Sequence, residues 1–272
     1  MNDSLNEALL SCGVNTTSPC TNIFVSDTPD TCGQFLTSEL LCQNLLAGRR
    51  VMYVTLHNTF ALNCNIAAKR SIQLMNFYKN GYIKVIEGQK LMTEAAAKAL
   101  EGQDVSKHPF NFMFNSSDGS LKNLFLAIKY CVNDWRSSNE SMVILIDNLS
   151  TLLSLGVSTT EIRIFIQYCY SLLYPLNSDL KTRLGNLIFV SLDDPADKEF
   201  HLIANYLSQC SDVTLSARPL STGRTNEVDG SLHVCSSPQN KRQQEPFKKM
   251  YLYKVMERTT KLFAPGMTAS VL

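Results

Sequence analysis

The residues of this 272-residue chain that could handle a nucleotide are gathered in "SDTPDTCGQFLTSELL", positions 26 to 41, behind the apolar run "NIFV". A phosphate-binding loop follows GxxxxGK[ST]: glycines let the backbone approach phosphate, the lysine reaches the β and γ oxygens, and the hydroxyl meets magnesium. In that frame Thr28 stands at the first glycine, Gly33 at the second, Gln34 at the lysine and Phe35 at the hydroxyl. Only Gly33 fits. Further along, the run "MVILID" ends in Asp147, in the place of the carboxylate that holds magnesium through water in a phosphate-loop ATPase. The frame is therefore that of an ATPase without its chemistry. With Gln34 the γ-phosphate has no fixed counter-charge, and with Phe35 the metal loses a ligand. The reading is a degenerate phosphate loop with no catalytic residue, no metal and no cofactor. The alternative is a divergent hydrolase working through Asp147, Gly33 and the backbone donors at the start of the helix that follows.

Other chemistries find less support. A dinucleotide fingerprint GxGxxG is absent after the first strand, and no GxSxG elbow occurs. Histidines 57, 108, 201 and 233 are scattered; His57 follows the second apolar run, at the end of a strand where α/β proteins bind ligands, but a lone histidine there reads as a surface residue. No Cys/His grouping has zinc-ligand spacing. Nine cysteines, an odd number with no CxxC, sit partly inside apolar runs and read as reduced thiols of an intracellular protein. A net charge of +1 gives no global field for nucleic acid or an anionic membrane, so such a partner must be met by a local patch or an assembly. Basic pairs stand at 49–50, 69–70, 241–242 and 248–249; Lys181 and Arg183, before the fifth strand, are the candidate nucleic-acid contacts. The acidic loop "DDPADKE" just beyond that strand argues against a backbone grip there.

The elements that must position these residues alternate. Five runs, 22 to 26, 51 to 56, 82 to 88, 142 to 147 and 186 to 192, are apolar nearly throughout, as strands of a parallel sheet covered on both faces are. Between them lie helical patterns. Residues 34 to 47 carry an apolar side and stop at Gly48; 120 to 135 show another stripe; Ser158 and Glu161 open a third helix as a capping box, stopped by Pro175; a fourth contains Phe200, Ile203 and Leu207. After about 211, "DVTLSA", "GSLHVCS" and "KMYLYKVM" follow one another without helices and predict an antiparallel meander added to the sheet edge. The fold class is α/β, a mostly parallel sheet flanked by helices. One domain spans 1–272, with 1–20 and 236–248 expected to be flexible. No stretch of 18 apolar residues suggests a membrane span. The expected setting is cytoplasmic and nuclear.

At "VILIDNLSTLLSLGVS" followed by "FIQYCY", and at "KLFAPGMTASVL", the chain resembles the Elongator complex protein 6 family. The resemblance covers nearly the whole chain and is most specific in residues 143 to 170 and 261 to 272. It implies a RecA-like ATPase fold whose phosphate loop has degenerated, in a subunit that forms a heterohexameric ring with Elongator proteins 4 and 5. It also implies attachment to the catalytic Elongator subcomplex, tRNA binding by the assembly, and support of wobble-uridine modification of the 5-carboxymethyluridine type. No family catalytic residue carries over to this chain, and Gln34 and Phe35 are what a non-catalytic subunit would show. Apolar surface left on the helices and the meander is expected to pack against a paralogous subunit.

Overall fold

The computed structural model describes residues 4–11, 21–114, 120–174, 183–220, 225, 227–236 and 247–264. The five apolar runs form strands β1 (Ile23–Asp27), β2 (Arg50–Thr55), β3 (Ile83–Glu87), β4 (Met142–Asp147) and β5 (Gly185–Leu192). Around them lie α1 (Ser4–Ser11), α2 (Gln34–Leu46), α3 (Phe60–Lys69), α4 (Leu74–Lys79), α5 (Gly88–Leu100), α6 (Lys122–Ser137), α7 (Ser150–Ser154), α8 (Thr159–Ser171) and α9 (Lys198–Cys210). Strands β6 (Val213–Arg218), β7 (Gly230–Ser236), β8 (Lys248–Val255) and β9 (Thr260–Phe263) complete the order. Local chemistry sets several boundaries. The hydroxyl of Ser158 accepts from Glu161 N at 3.2 Å to open α8, and Asp197 accepts from Glu199 N and Phe200 N to open α9. Gly48, at φ 74°, turns the chain out of α2, a left-handed conformation that glycine adopts without a Cβ clash.

All nine strands belong to one sheet of order β3-β2-β4-β5-β1-β6-β7-β8-β9. Strands β1 to β6 are mutually parallel, and β7, β8 and β9 are each antiparallel to the strand before. Right-handed crossovers decide the layers. The steps from β1 out to β2 and β3 lay α2, α3 and α4 on one face, while the return through β4, β5 and β6 lays α5 to α9 on the other. The two cores follow this division: Val25, Leu36, Leu40, Tyr53, Leu215 and Tyr253 fill the first, and Phe24, Ile144, Phe165 and Ile203 fill the second.

Two expectations are corrected. Strand β6 is not the start of the antiparallel meander: α9 lies between it and β5, makes a crossover, and so brings β6 in parallel to β1, with Val25 opposite Leu215. The meander begins at β7 and includes the short β9. Within the N-terminal twenty residues, expected to be flexible, Ser4–Ser11 form a helix whose Leu5 and Leu9 are buried in the first core beside β9; residues 1–3 and 12–20, and 237–246 of the other stretch so expected, lie outside the described residues.

Helix α2 is enclosed on all sides. Every residue from Phe35 to Leu45 is buried, polar ones included. The sheet lies on one side of it, α3 on another, and the meander curls over a third, placing the ring of Tyr253 on that of Phe35 at 4.7 Å. Several of its buried polar positions are met by partners, while the hydroxyls of Thr37 and Ser38 find none among the described residues. Glu39 receives Arg70 and the amide of Gln43, and Asn44 donates to Leu40 O and accepts from Arg49.

Candidate functional site

The turn after β1 is where nucleotide phosphate would sit, and its Thr28, Thr31 and Gly33 amides are already engaged within the chain. Thr28 and Thr31 exchange both backbone hydrogen bonds, at 3.3 and 3.1 Å, and their hydroxyl oxygens lie 2.7 Å apart. Thr31 also donates to Ala217 O on β6 at 2.7 Å, pinning the turn to the sheet. The amide of Gly33 stands at the N-cap of α2, where a helix start favours an anion. It donates to Asp27 Oδ1 at 2.7 Å. The anion position of the loop is thus occupied by the carboxylate at the end of the preceding strand.

This contact also explains why Gly33 is glycine. Its φ of −80° suits any residue, but a Cβ there would lie 2.3 Å from Asp27 Oδ1 and 3.1 Å from Val25 Cγ1. The missing side chain makes room for the chain's own acid rather than for phosphate.

Asp147 stands two strands away, across β5, so the two backbones are about 10 Å apart by ladder spacing. It is buried and accepts from Tyr53 Oη at 3.2 Å. Burial pushes its carboxyl up to about 6, against the lowering effects of the Tyr53 hydrogen bond and of His57. Asp27 is pushed up to about 7, chiefly by burial and further by the charge of Asp147, with the Gly33 amide opposing. Among the described residues neither acid makes an ion pair. Glu87 ends β3 and Asp193 follows β5, so four acids stand at the carboxyl edge of the parallel strands. A triphosphate entering here would meet carboxylates where an ATPase offers lysine and magnesium.

The other sequence candidates are placed as follows. Phe35 points away from the turn into the core beneath the meander, so the hydroxyl position serves packing. Gln34 is half-buried, and its Nε2 has no hydrogen-bond partner among the described residues. His57 is exposed, its carbonyl accepting from Gln89 Nε2 at 2.7 Å. Arg183 lies at the opposite, amino edge of the sheet and donates to Asn22 Oδ1 at 2.5 Å; Lys181 lies outside the described residues. Two of the basic pairs hold the fold together. Arg49 is buried and donates to Ser141 Oγ, Asn44 Oδ1 and Met142 O, and Arg50 pairs with Glu140 and stacks over Tyr82 at 4.3 Å. Arg70 meets Glu39, and Lys69 lies 3.9 Å from Glu257. Lys241 and Arg242 lie outside the described residues, whereas Lys248 and Lys249 are exposed on β8.

Sequence reasoning missed Asp27, the residue that fills the loop. Its only signal is an acid closing the first strand, six residues before the glycine.

The family model described as Elongation complex protein 6 matches residues 3–257. Elongator complex protein 6 of Homo sapiens is 30% identical over 249 residues, covering 88% of this chain and 89% of the relative. That of Xenopus laevis is 29% identical over 256 residues, covering 89% and 90%, and that of Drosophila melanogaster 26% over 261, covering 95% and 96%. Among solved structures, an uncharacterized Pyrococcus horikoshii protein in complex with an unknown peptide superposes with a TM-score of 0.61 at 12% identity, covering 96% of this chain and 98% of that one. A KaiC-like protein from the same archaeon gives 0.53 at 13% identity, covering 89% of each chain. The fold is RecA-like, of the KaiC kind.

Proposed function

Since this chain belongs to the Elongator complex protein 6 family, we propose that it is a non-catalytic subunit of the Elongator complex, built as one RecA-like domain. In this reading it forms a heterohexameric ring with Elongator proteins 4 and 5 that binds tRNA and supports wobble-uridine modification beside the catalytic subcomplex, in cytoplasm and nucleus. The observation that carries the non-catalytic part is the Asp27 carboxylate on the Gly33 amide. A loop whose anion position is filled by a carboxylate of its own chain, and whose neighbouring acid is Asp147, offers a nucleotide no counter-charge. The subunit then contributes geometry.

Support for assembly comes from the second face. On α6 and α8, Leu126, Tyr130, Ile164 and Tyr168 are exposed, Tyr130 by 82%, beside a cavity of about 330 Å³ lined also by Phe125 and Phe165. Large apolar side chains grouped in this way suit a protein interface. Co-expression with Elongator proteins 4 and 5, followed by native mass spectrometry, tests the ring. A hexamer containing this chain is expected, and Tyr130→Asp with Tyr168→Asp should reduce its yield; a stable monomer indifferent to both partners would overturn the reading. In the same ring, salt-dependent tRNA binding with Lys181→Glu and Arg183→Glu tests whether these residues contact RNA.

A further inference from the structure

Helices α8 and α9 pack side by side on the second face of the sheet and leave an open cavity of about 540 Å³ between them. Along α9 it is lined by Lys198, His201, Asn205 and Gln209, which follow one another at helical spacing and so share one face. Arg163 lines it from α8. Its guanidinium lies over the ring of Tyr206 at 4.7 Å, and the Tyr206 hydroxyl is itself met by the amide of Gln167. An aromatic ring, not an acid, therefore holds the guanidinium in place.

His201 is oriented as well. Its Nδ1 lies 2.8 Å from Asp193 Oδ1, and the Asp193 amide donates to Asp27 O at 2.8 Å, which fixes the residue that carries the carboxylate. With Nδ1 engaged, Nε2 is the ring atom left for a ligand. The other polar side chains of the cavity meet no acceptor. Among the described residues Arg163 and Lys198 make no ion pair, and the side chains of Arg163, Lys198, Asn205 and Gln209 make no hydrogen bond. The nearby acids have other tasks: Asp194 accepts from Ala196 N, and Asp197 caps α9 at Glu199 N and Phe200 N. Glu161, on α8, lines the separate cavity beside Phe125.

We infer that the cavity between α8 and α9 binds a phosphomonoester group, carried by a phosphorylated side chain of another protein or by a small molecule. Arg163 offers a planar fork of donors, Lys198 a point charge, and His201 an imidazole that a bound dianion keeps protonated, so that Nε2–H donates too. The amides of Asn205 and Gln209 remain for the groups that carry the phosphate. A nucleic-acid strand is the poorer fit. It would continue past the cavity over Asp194, Asp197 and Glu199, whose carboxylates repel its next phosphates, whereas an isolated phosphate meets the cations alone. The inference does not depend on the state of the nucleotide loop or on the ring.

The test uses the full chain with carbon-13-labelled histidine, titrated with N-acetyl-O-phosphoserine amide and, as control, N-acetylserine amide. Nuclear magnetic resonance reads the site and calorimetry the affinity. The expected result is saturable binding of the phosphorylated compound alone, with a shift of the His201 ring signals, which are assigned by their loss in His201→Gln. Arg163→Gln/Lys198→Gln should weaken binding at least tenfold, with unchanged circular dichroism. Arg163→Lys, which keeps the charge but loses the planar fork, should weaken it at least threefold. A pool of nine-residue peptides with phosphoserine at the centre separates the two sources. A gain of tenfold or more over the blocked residue assigns the site to a phosphorylated protein, and a smaller difference assigns it to a small phosphomonoester. The inference is overturned if the two serine compounds behave alike or if the double variant binds as the native chain does. It is equally overturned if a 15-nucleotide single-stranded RNA binds more tightly than the phosphoserine compound and loses that binding in the double variant.

Discussion

Replacing Asp27 by Asn gives the most direct test of the closed loop. Asn can keep the 2.7 Å acceptor contact with Gly33 N through its Oδ1 while removing the buried charge. The folded carboxyl sits at about 7, against an ordinary 3.8. A group raised in the folded state contributes stability below its unfolded value and loses it as pH rises through the folded one. The native protein should therefore weaken between about pH 4 and 8. The full rise corresponds to about 4 kcal/mol at pH 8, as an order of magnitude. The new amide NH₂ must be buried in exchange, at about 1 to 3 kcal/mol where no acceptor meets it. The balance at pH 8 is a stabilisation of about 1 to 3 kcal/mol, vanishing or reversing near pH 5. Urea unfolding followed by circular dichroism at pH 5, 6.5 and 8 reads both the sign and the crossover. If Asp27→Asn were less stable than the native chain at pH 8, or if the two stability curves ran parallel across this range, the buried unpaired carboxylate would be refuted.

Three further outcomes follow from the same geometry. Gly33→Ala, whose Cβ would meet Asp27 Oδ1 at 2.3 Å, should cost at least about 2 kcal/mol, and less in an Asp27→Ala background, so a double-mutant cycle with a coupling near zero would count against the contact. Restoring the motif with Gln34→Lys and Phe35→Ser should not restore ATP binding by calorimetry while Asp27 remains, and should cost about 3 kcal/mol or more through the lost packing on Tyr253. Asp147→Ala in the purified assembly should leave its nucleotide turnover unchanged with the complex intact; loss of turnover would favour the divergent hydrolase instead.

Strands β1 to β5 and their order of appearance were legible because each is apolar over most of its length, as strands of a sheet covered on both faces are. Helices α2, α6, α8 and α9 were legible from stripes or caps. Helix α3, "FALNCNIAAK", and the one-and-a-half-turn α4 have weak stripes, and they form because the β2 to β3 crossover needs them. The direction of β6 hid behind the look of a hairpin partner, although the helix before it already required a crossover. At the loop, residue types alone showed that lysine and hydroxyl are missing, but not that Asp27 folds back onto Gly33, since that depends on the path of the turn. The basic pairs misled in the same way. Arg49 reads as a surface charge until β4 arrives, from 93 residues along the chain, to take its guanidinium at Met142 O.

The enclosure of α2 also bears on how the polypeptide can be made. Phe35 leaves the ribosome early, whereas the Tyr253 ring that covers it belongs to β8, near the other end of the chain. Until β8 and β9 have been synthesised, one side of an otherwise buried helix faces solvent. At translation rates of about 5 to 20 residues per second that exposure lasts on the order of ten seconds or more, long enough for a chaperone or a co-translated partner to cover it first. A message cut short before β8 would therefore yield a chain with an open, sticky interior rather than a smaller stable protein.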